Sequence, residues 1–482
     1  MIARQPIPLR WVWPMAITLL LWISSRNEVT LWQVTLGFLI LVLPWCAYTS
    51  WQRNGTNRLP LFAIVALAHW VYFGLPLFWS SRNIDALVKQ QISDGAITRV
   101  LEMTLLGLAC LWAGMRLRFF VISPSRLPDV AMSGGRRDYM HFVMACGLVL
   151  SLVVSPYVLG EGGRQIVLIL QSVVPAAIFA ILFSDALKGQ AGDRDIVMII
   201  LYLVISVILG AASGWAGSLA RVGILCSAVF LSVRRKIPWL AIVGAGMAVV
   251  FLQVGKTPFR EAYWYGSSQG DPFERISFWV EQSYSRWADA IVRADDDQIF
   301  RYANQTLERA SLLNQAANVM ERTPSVVPFQ HGRTYSYMAV TLIPRFLWPA
   351  KPDVNEANRF YQVQYGLSST SSVRRVSISA GFLVEGYMNF GWAGVVGVMF
   401  LVGVVLGIIE QTFFSREGGV LWTSLGIALL TPLITIESQF VQYLGGFVQQ
   451  VLLTLLILLP AATYGARQPD ISRSSLVESM AG

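Results

Sequence analysis

Runs of about twenty apolar residues alternate with short polar segments along most of the chain. A bilayer-crossing helix needs roughly 20 such residues. The pattern therefore predicts about twelve spans, near 8–24, 31–50, 60–79, 100–120, 139–159, 165–184, 196–212, 216–233, 238–255, 380–410, 420–436 and 444–464. One stretch breaks the rhythm: between 256 and 379 no span is evident. Loops of more than about 15 residues without structure are uncommon and usually functional. Part of this one reads as helix. "DPFERISFWVEQSYSRWADAIVRA" (271–294) repeats apolar residues at helical spacing, with Asp271 and Pro272 as cap and first-turn residues. The expected organisation is a bundle of about nine helices (1–255), a large loop (256–379), about three further spans (380–466) and a short cytoplasmic tail (467–482). No internal repeat or heptad array is present.

Composition agrees with a bilayer setting. Of 482 residues, 55% are hydrophobic and 13% charged, against roughly 25% charged in soluble domains. The fold class expected is an all-α polytopic membrane protein with one large, partly helical extracytoplasmic loop. A net charge of +9 would fit nucleic acid, but its distribution explains it otherwise. Arg53, Arg58, Arg116, Arg118, Arg136, Arg137, Lys188, Arg234, Arg235 and Lys236 fall at span ends or between spans on one alternate side, whereas the opposite side holds few cations. Cytoplasmic loops carry such an excess. Both termini are therefore expected in the cytoplasm and 256–379 outside it, and no nucleic-acid partner is implied. Arg4 and Arg10 precede an apolar run without a small-residue cleavage site, so the first span reads as an uncleaved anchor. Cys46, Cys110, Cys146 and Cys226 lie in apolar runs without metal spacing.

The loop is where chemistry concentrates. It holds twelve Arg but two Lys, beside twelve Asp and Glu. Guanidinium groups grip phosphate bidentately and stay charged, although surface ion pairs would account for most of these arginines. "HGRTYSYMAVTLIPRFLWPAKPD" (331–353) sets Arg333, Arg345 and Lys351 among Tyr335 and Trp348, with Pro344, Pro349 and Pro352 stiffening the backbone. Downstream, "SISAGFLVEGYMNFGWAG" places Glu385 at a span entrance with Asn389 four residues on, both expected on one helix face with Trp392. A carboxylate there reads as functional, or pairs with a loop arginine. Gly403 and Gly407 form a small-xxx-small pair suited to helix packing. Asp295–Asp297 reads as a solvated helix end, and His69 and His141 as hydrogen-bonded interior histidines. No P-loop, G-x-S-x-G or H-E-x-x-H occurs, and neither metal nor other cofactor is expected.

"GRTYSYMAVTLIPRFLWPAKP" together with "GFLVEGYMNFGWAG" resembles the Wzy-type oligosaccharide repeat-unit polymerases of bacterial O-antigen and exopolysaccharide assembly. The likeness rests on Gly332, Thr334 and Tyr335, on Ile343 to Pro352, and on Glu385, Tyr387 and Asn389 to Gly391. It implies a glycosyltransferase of the bacterial inner membrane that joins undecaprenyl-diphosphate-linked oligosaccharides. A chain-length regulator and a flippase are implied partners. Such chemistry needs cations on the departing diphosphate and a base for the attacking hydroxyl. Arg345 is expected on the diphosphate with Arg333 and Lys351, Glu385 as base, and Asn389 orienting the acceptor. Arg260 and Arg286 are expected on a second lipid diphosphate, and Tyr335 and Trp348 against sugar or lipid. An O-antigen ligase, to which His331 would also be suited, is the nearest alternative. A non-enzymatic flippase or transporter, or a scaffold subunit of an export complex, comes next.

Overall fold

The computed structural model describes residues 9–55, 57–81, 83–84, 90–117, 127, 129–130, 134–154, 160–338, 348, 356–371, 373 and 378–463. Arg345, Lys351, the three prolines of 344–352 and the 467–482 tail lie outside the described residues.

A helix occupies each of the twelve predicted positions. Seven among the described residues are long and apolar enough to cross a membrane: Leu31–Arg53, Leu61–Trp79, Asp94–Arg116, Gly163–Lys188, Asp193–Ala212, Ala216–Arg234 and Gly381–Phe414. An eighth is reached if Trp239–Gln253 and Lys256–Tyr263, bent by 58° at their junction, count as one. By length and composition, seven or eight of the about twelve expected spans are thus supported among the described residues. Leu9–Ile23 has only 15 residues. Gly134–Val153 opens with Arg136, Arg137 and Asp138, and the 420–436 run is split into Val420–Ala428 and Leu430–Ile434. Strand is confined, among the described residues, to two-residue pairs such as Asp129–Val130 with Ala462–Thr463. This is the architecture of an all-α membrane protein. Leu240, Val243 and Met247 on one helix, and Val197, Ile200 and Val204 on another, are exposed on the outer surface, as suits faces turned to lipid.

The helices pack through glycines. A Cβ on Gly114 would strike the Phe400 carbonyl, one on Gly403 the Leu111 carbonyl, and one on Gly407 would come within 3.0 Å of the Met115 carbonyl. The Asp94–Arg116 and Gly381–Phe414 helices therefore run backbone to backbone. Within lipid, such close van der Waals contact holds helices together in place of a hydrophobic driving force.

The 256–379 segment holds more helix than its sequence signalled. The expected helix spans Pro272–Val292, its start fixed by Asp271 accepting from the Phe273 and Glu274 N–H groups. Asp296–Ala310, Leu313–Arg322 and Glu356–Gln364 are also helical. Leu313–Arg322 buries Ala316, Ala317, Val319 and Met320 against the main core. A satellite core of Phe259, Trp279 and Ala216 seats the Lys256–Tyr263 and Pro272–Val292 helices.

Candidate functional site

The Gly381–Phe414 helix is broken where "NFG" stands. Phe390 (φ −140°, ψ 16°) and Gly391 (φ 63°, ψ −144°) leave helical geometry. The Gly391 conformation is open only to a residue without a Cβ. The two limbs then press on each other: a Cβ on Gly394 would overlap the Gly386 carbonyl oxygen. This corrects one expectation. Glu385 and Asn389 share a face of the first limb and are fully buried, whereas Trp392 lies past the break and is 40% exposed.

The break docks the upstream segment. Gln330 and His331 donate their backbone N–H groups to the carbonyls of Met388 and Asn389, at 3.0 and 3.1 Å. Gly332 N–H donates to the Asn389 side-chain oxygen at 2.9 Å. Asn389 Nδ2 donates to Thr334 Oγ1 and to the Glu385 carbonyl, both at 2.8 Å. The two motifs singled out in the sequence thus meet on one asparagine.

Glu385 has one oxygen satisfied: Oε2 accepts the Phe440 backbone N–H at 2.9 Å. The Thr334 hydroxyl approaches the carboxylate, yet Oε1 completes no hydrogen bond of normal geometry. The Tyr335 hydroxyl is buried near Glu385 and Asn389, also without one. Burial first, and the negative charge of Glu385 second, push the pKa of that phenol up and hold it protonated. Gln439, beside Phe440, is 1% exposed with neither amide atom bonded. Unmet polar groups of this kind are costly away from water, and here the Tyr335 hydroxyl and Glu385 Oε1 lie near one another. Among the described residues no cation pairs with Glu385.

A groove of about 490 Å³ opens beside this cluster, lined by Tyr335, Met338, Phe390, Gly397, Leu401, Phe440 and neighbours. The Tyr335 and Phe440 rings meet edge to face, centroids 6.5 Å apart. Both residues line the groove, and Glu385 does not.

Among the described residues the structure therefore unites Glu385, Asn389 and Tyr335 but not the other predicted ones; Arg345 and Lys351 lie outside the described residues. Arg333 is exposed, its guanidinium 5.9 Å over the Phe360 ring. Trp348 is exposed. Arg260 stacks 4.3 Å from the Trp264 ring, and Arg286 is exposed on the Pro272–Val292 helix. Asp295 caps the Asp296–Ala310 helix through the Gln298 N–H, and Asp297 pairs with Arg26 at 3.1 Å. His69 is fully buried, with Nδ1 2.8 Å from the Val65 carbonyl. His141 belongs to a network missed in the sequence, in which Asp195 receives Arg137 at 2.6 Å and His141 at 2.8 Å.

Fold and site together define a class, the all-α membrane proteins with a buried carboxyl at a broken helix. The chain belongs to the family described as a domain of unknown function (DUF8712), whose model matches residues 79–430. Neither comparison with characterised proteins nor comparison with solved structures gives a match.

Proposed function

We propose that the protein is a polymerase joining undecaprenyl-diphosphate-linked oligosaccharide repeat units at the outer face of a bacterial cytoplasmic membrane. The observation that carries this reading is the junction of the 330–335 segment with the 381–391 limb around Glu385 and Asn389. The same two segments carry the sequence resemblance to such polymerases. In the reaction, a hydroxyl of the incoming repeat unit attacks the anomeric carbon of the growing glycan. The bond from that carbon to the diphosphate oxygen breaks, and undecaprenyl diphosphate leaves with the electron pair. Glu385 takes the hydroxyl proton through Oε1, the oxygen left without a partner. Arg345, with Arg333 and Lys351, meets the charge developing on the diphosphate.

The reading places demands on the molecule. Glu385 is fully buried, so Tyr335 or Phe440 must give way for a sugar hydroxyl to reach it. It also requires the 256–379 segment to lie outside, the remaining short helices to complete about twelve crossings, and both termini to lie inside. A chain-length regulator and a flippase would work alongside. The deciding experiment is a gel of surface polysaccharide from a deletion strain, with and without the complementing gene. Loss of the polymer ladder with single repeat units retained supports a polymerase. Polymer retained on its lipid carrier but not transferred points to a ligase, and an unchanged gel removes both.

A further inference from the structure

Lys256 is the first residue of the Lys256–Tyr263 helix, just past the bend that ends the apolar Trp239–Gln253 helix. Its neighbours fix it there. Phe259 is fully buried in the satellite core, and Gly255 packs so closely on Trp279 and Ser283 that a Cβ would overlap them. Arg260, one turn on, shares the helix face of Lys256. Its guanidinium lies 4.3 Å from the Trp264 ring, whose N–H donates to the Ser213 carbonyl at 3.0 Å. Arg309, in the last turn of the Asp296–Ala310 helix, supplies a third positive charge that acts on both.

Lys256 is 8% exposed. Among the described residues, none of the three cations forms an ion pair or a side-chain hydrogen bond, and no carboxylate is among the charges acting on Lys256 or Arg260. The acids of the surrounding elements are placed otherwise. Glu308 accepts from Asn304 at 3.1 Å, and Glu437 is approached by the Tyr72 hydroxyl. Glu281 and Asp289 are exposed, and Glu261 stands about 100° around the helix from Arg260. A cation in a first helical turn opposes the macrodipole, and like charges four residues apart repel. A buried charge without a partner is costlier still. The arrangement calls for an anion from outside the chain. Arg309 is exposed and Arg260 half-buried, so the cluster is reached from the surface. A neutral sugar would leave the charges unmet, and one carboxylate would offset one of three. Phosphate presents several charged oxygens, which suit two guanidinium forks and an ammonium. Trp264 and Tyr265, 44% and 71% exposed alongside, are residue types of the membrane–water interface, the depth at which lipid phosphate lies.

We infer that Lys256, Arg260 and Arg309 form a phosphate-binding site, filled by a lipid headgroup or by phosphate from solution. Arg260 is thereby grouped with Lys256 and Arg309 rather than with Arg286. That the phosphate belongs to a lipid-linked repeat unit rests on the proposed function; that the site takes phosphate rests on the cluster alone. The test uses the purified full chain in an uncharged, phosphate-free detergent. It is titrated by calorimetry with inorganic diphosphate and, separately, with phosphatidic acid dispersed in the same detergent. Saturable binding of at least one probe is expected, weakened tenfold or more by Lys256→Met and severalfold by Arg309→Gln. The latter alters an exposed side chain and serves if Lys256→Met fails to fold. Lys256→Met should also raise the unfolding midpoint of the unliganded protein, because an apolar side chain replaces an unpaired buried cation. Arg301→Gln, about two turns back on the helix of Arg309, should leave binding unchanged. Binding of phosphatidic acid alone assigns the site to a headgroup, and binding of diphosphate, with or without the lipid, to phosphate that can arrive free. Absence of saturable binding by both probes, or wild-type affinity in the folded variants of Lys256 and Arg309, would overturn the site. So would a loss in Arg301→Gln equal to that in Arg309→Gln, which would reduce the effect to general surface charge. Because no polymer need be made, an unchanged gel from the deletion strain would remove the polymerase reading without touching this result.

Discussion

Asn389 accepts the Gly332 backbone N–H at 2.9 Å across 57 residues of sequence. The same side chain donates to Thr334 and to the Glu385 carbonyl, so its oxygen and nitrogen are both committed. Gly332, at φ 88°, and His331, at φ 47°, turn the chain tightly enough to bring three consecutive backbone N–H groups onto the broken helix. One amide thereby sets the position of Tyr335 relative to Glu385.

Asn389→Ala should accordingly loosen this junction. Each buried group left without its partner costs about 1–3 kcal/mol, although within lipid the average is nearer 0.6. Thermal unfolding in detergent should show a clear drop in midpoint. Asn389→Asp keeps the acceptor for Gly332 but turns a carboxyl oxygen toward the Glu385 carbonyl at a fully buried site beside a second carboxyl, and it should fall at least as far as Ala. A midpoint for Asn389→Ala equal to wild type would mean that the junction carries no stability.

The glycines of the break should separate into two kinds. Gly391→Ala forces a Cβ onto φ 63°, ψ −144° and toward Phe329, and Gly394→Ala drives one into the Gly386 carbonyl. Strain of this kind costs on the order of 1–3 kcal/mol, and both variants should accumulate poorly. Gly397, with nothing within 4 Å of an added Cβ, should accept Ala without loss. Fluorescence-detected size-exclusion chromatography of tagged variants would read this directly. Equal yields for Gly394→Ala and Gly397→Ala would contradict the packed hairpin.

These residues also show what the sequence disclosed. Hydropathy located every apolar helix, because a bilayer imposes the same length and polarity on each. It passed over the break at Phe390–Gly391, since a Gly-rich apolar run reads equally well as continuous helix. Glycine's freedom at positive φ was the available signal, and it would have detached Trp392 from the face of Glu385. The helices Asp296–Ala310 and Leu313–Arg322 were missed because polar and charged residues dominate them. Glu385, Asn389 and Tyr335 were legible because their motifs are compact in sequence. The Phe440 N–H that holds Glu385 was not, because a backbone donor leaves no trace in residue identity. Nor was the approach of Arg309 to Lys256, which only the packing of separate helices creates.

The orientation of the chain is open to a labelling experiment. With the four cysteines replaced, Ser267→Cys and Gln190→Cys each place one thiol in an exposed connection between helices. If the Lys/Arg asymmetry reports the cytoplasmic side, an impermeant maleimide should modify position 267 in intact cells. Position 190 should react only after permeabilisation. The reverse pattern would invert the protein and place Glu385 at the wrong face for a lipid-linked substrate presented outside.

The mechanism is most exposed at Arg345 and Glu385. Glu385→Gln keeps the oxygen that accepts from Phe440 and removes the base, so the protein should fold, bind lipid-linked substrate and polymerise about 10²–10⁴-fold more slowly. Arg345→Lys keeps a positive charge but loses the fork that grips two phosphate oxygens, and it should be markedly impaired. Arg345→Ala should fall further, by about 10²-fold or more, as when a preorganised transition-state donor is removed. All three variants should reach the membrane in normal amounts, and where a ligase is present they should leave single repeat units on the lipid A core. A wild-type ladder from Arg345→Ala at matched expression would reduce the 331–352 segment to a membrane-surface anchor. A wild-type ladder from Glu385→Gln would leave the buried carboxyl as a structural tie to Phe440 and nothing more.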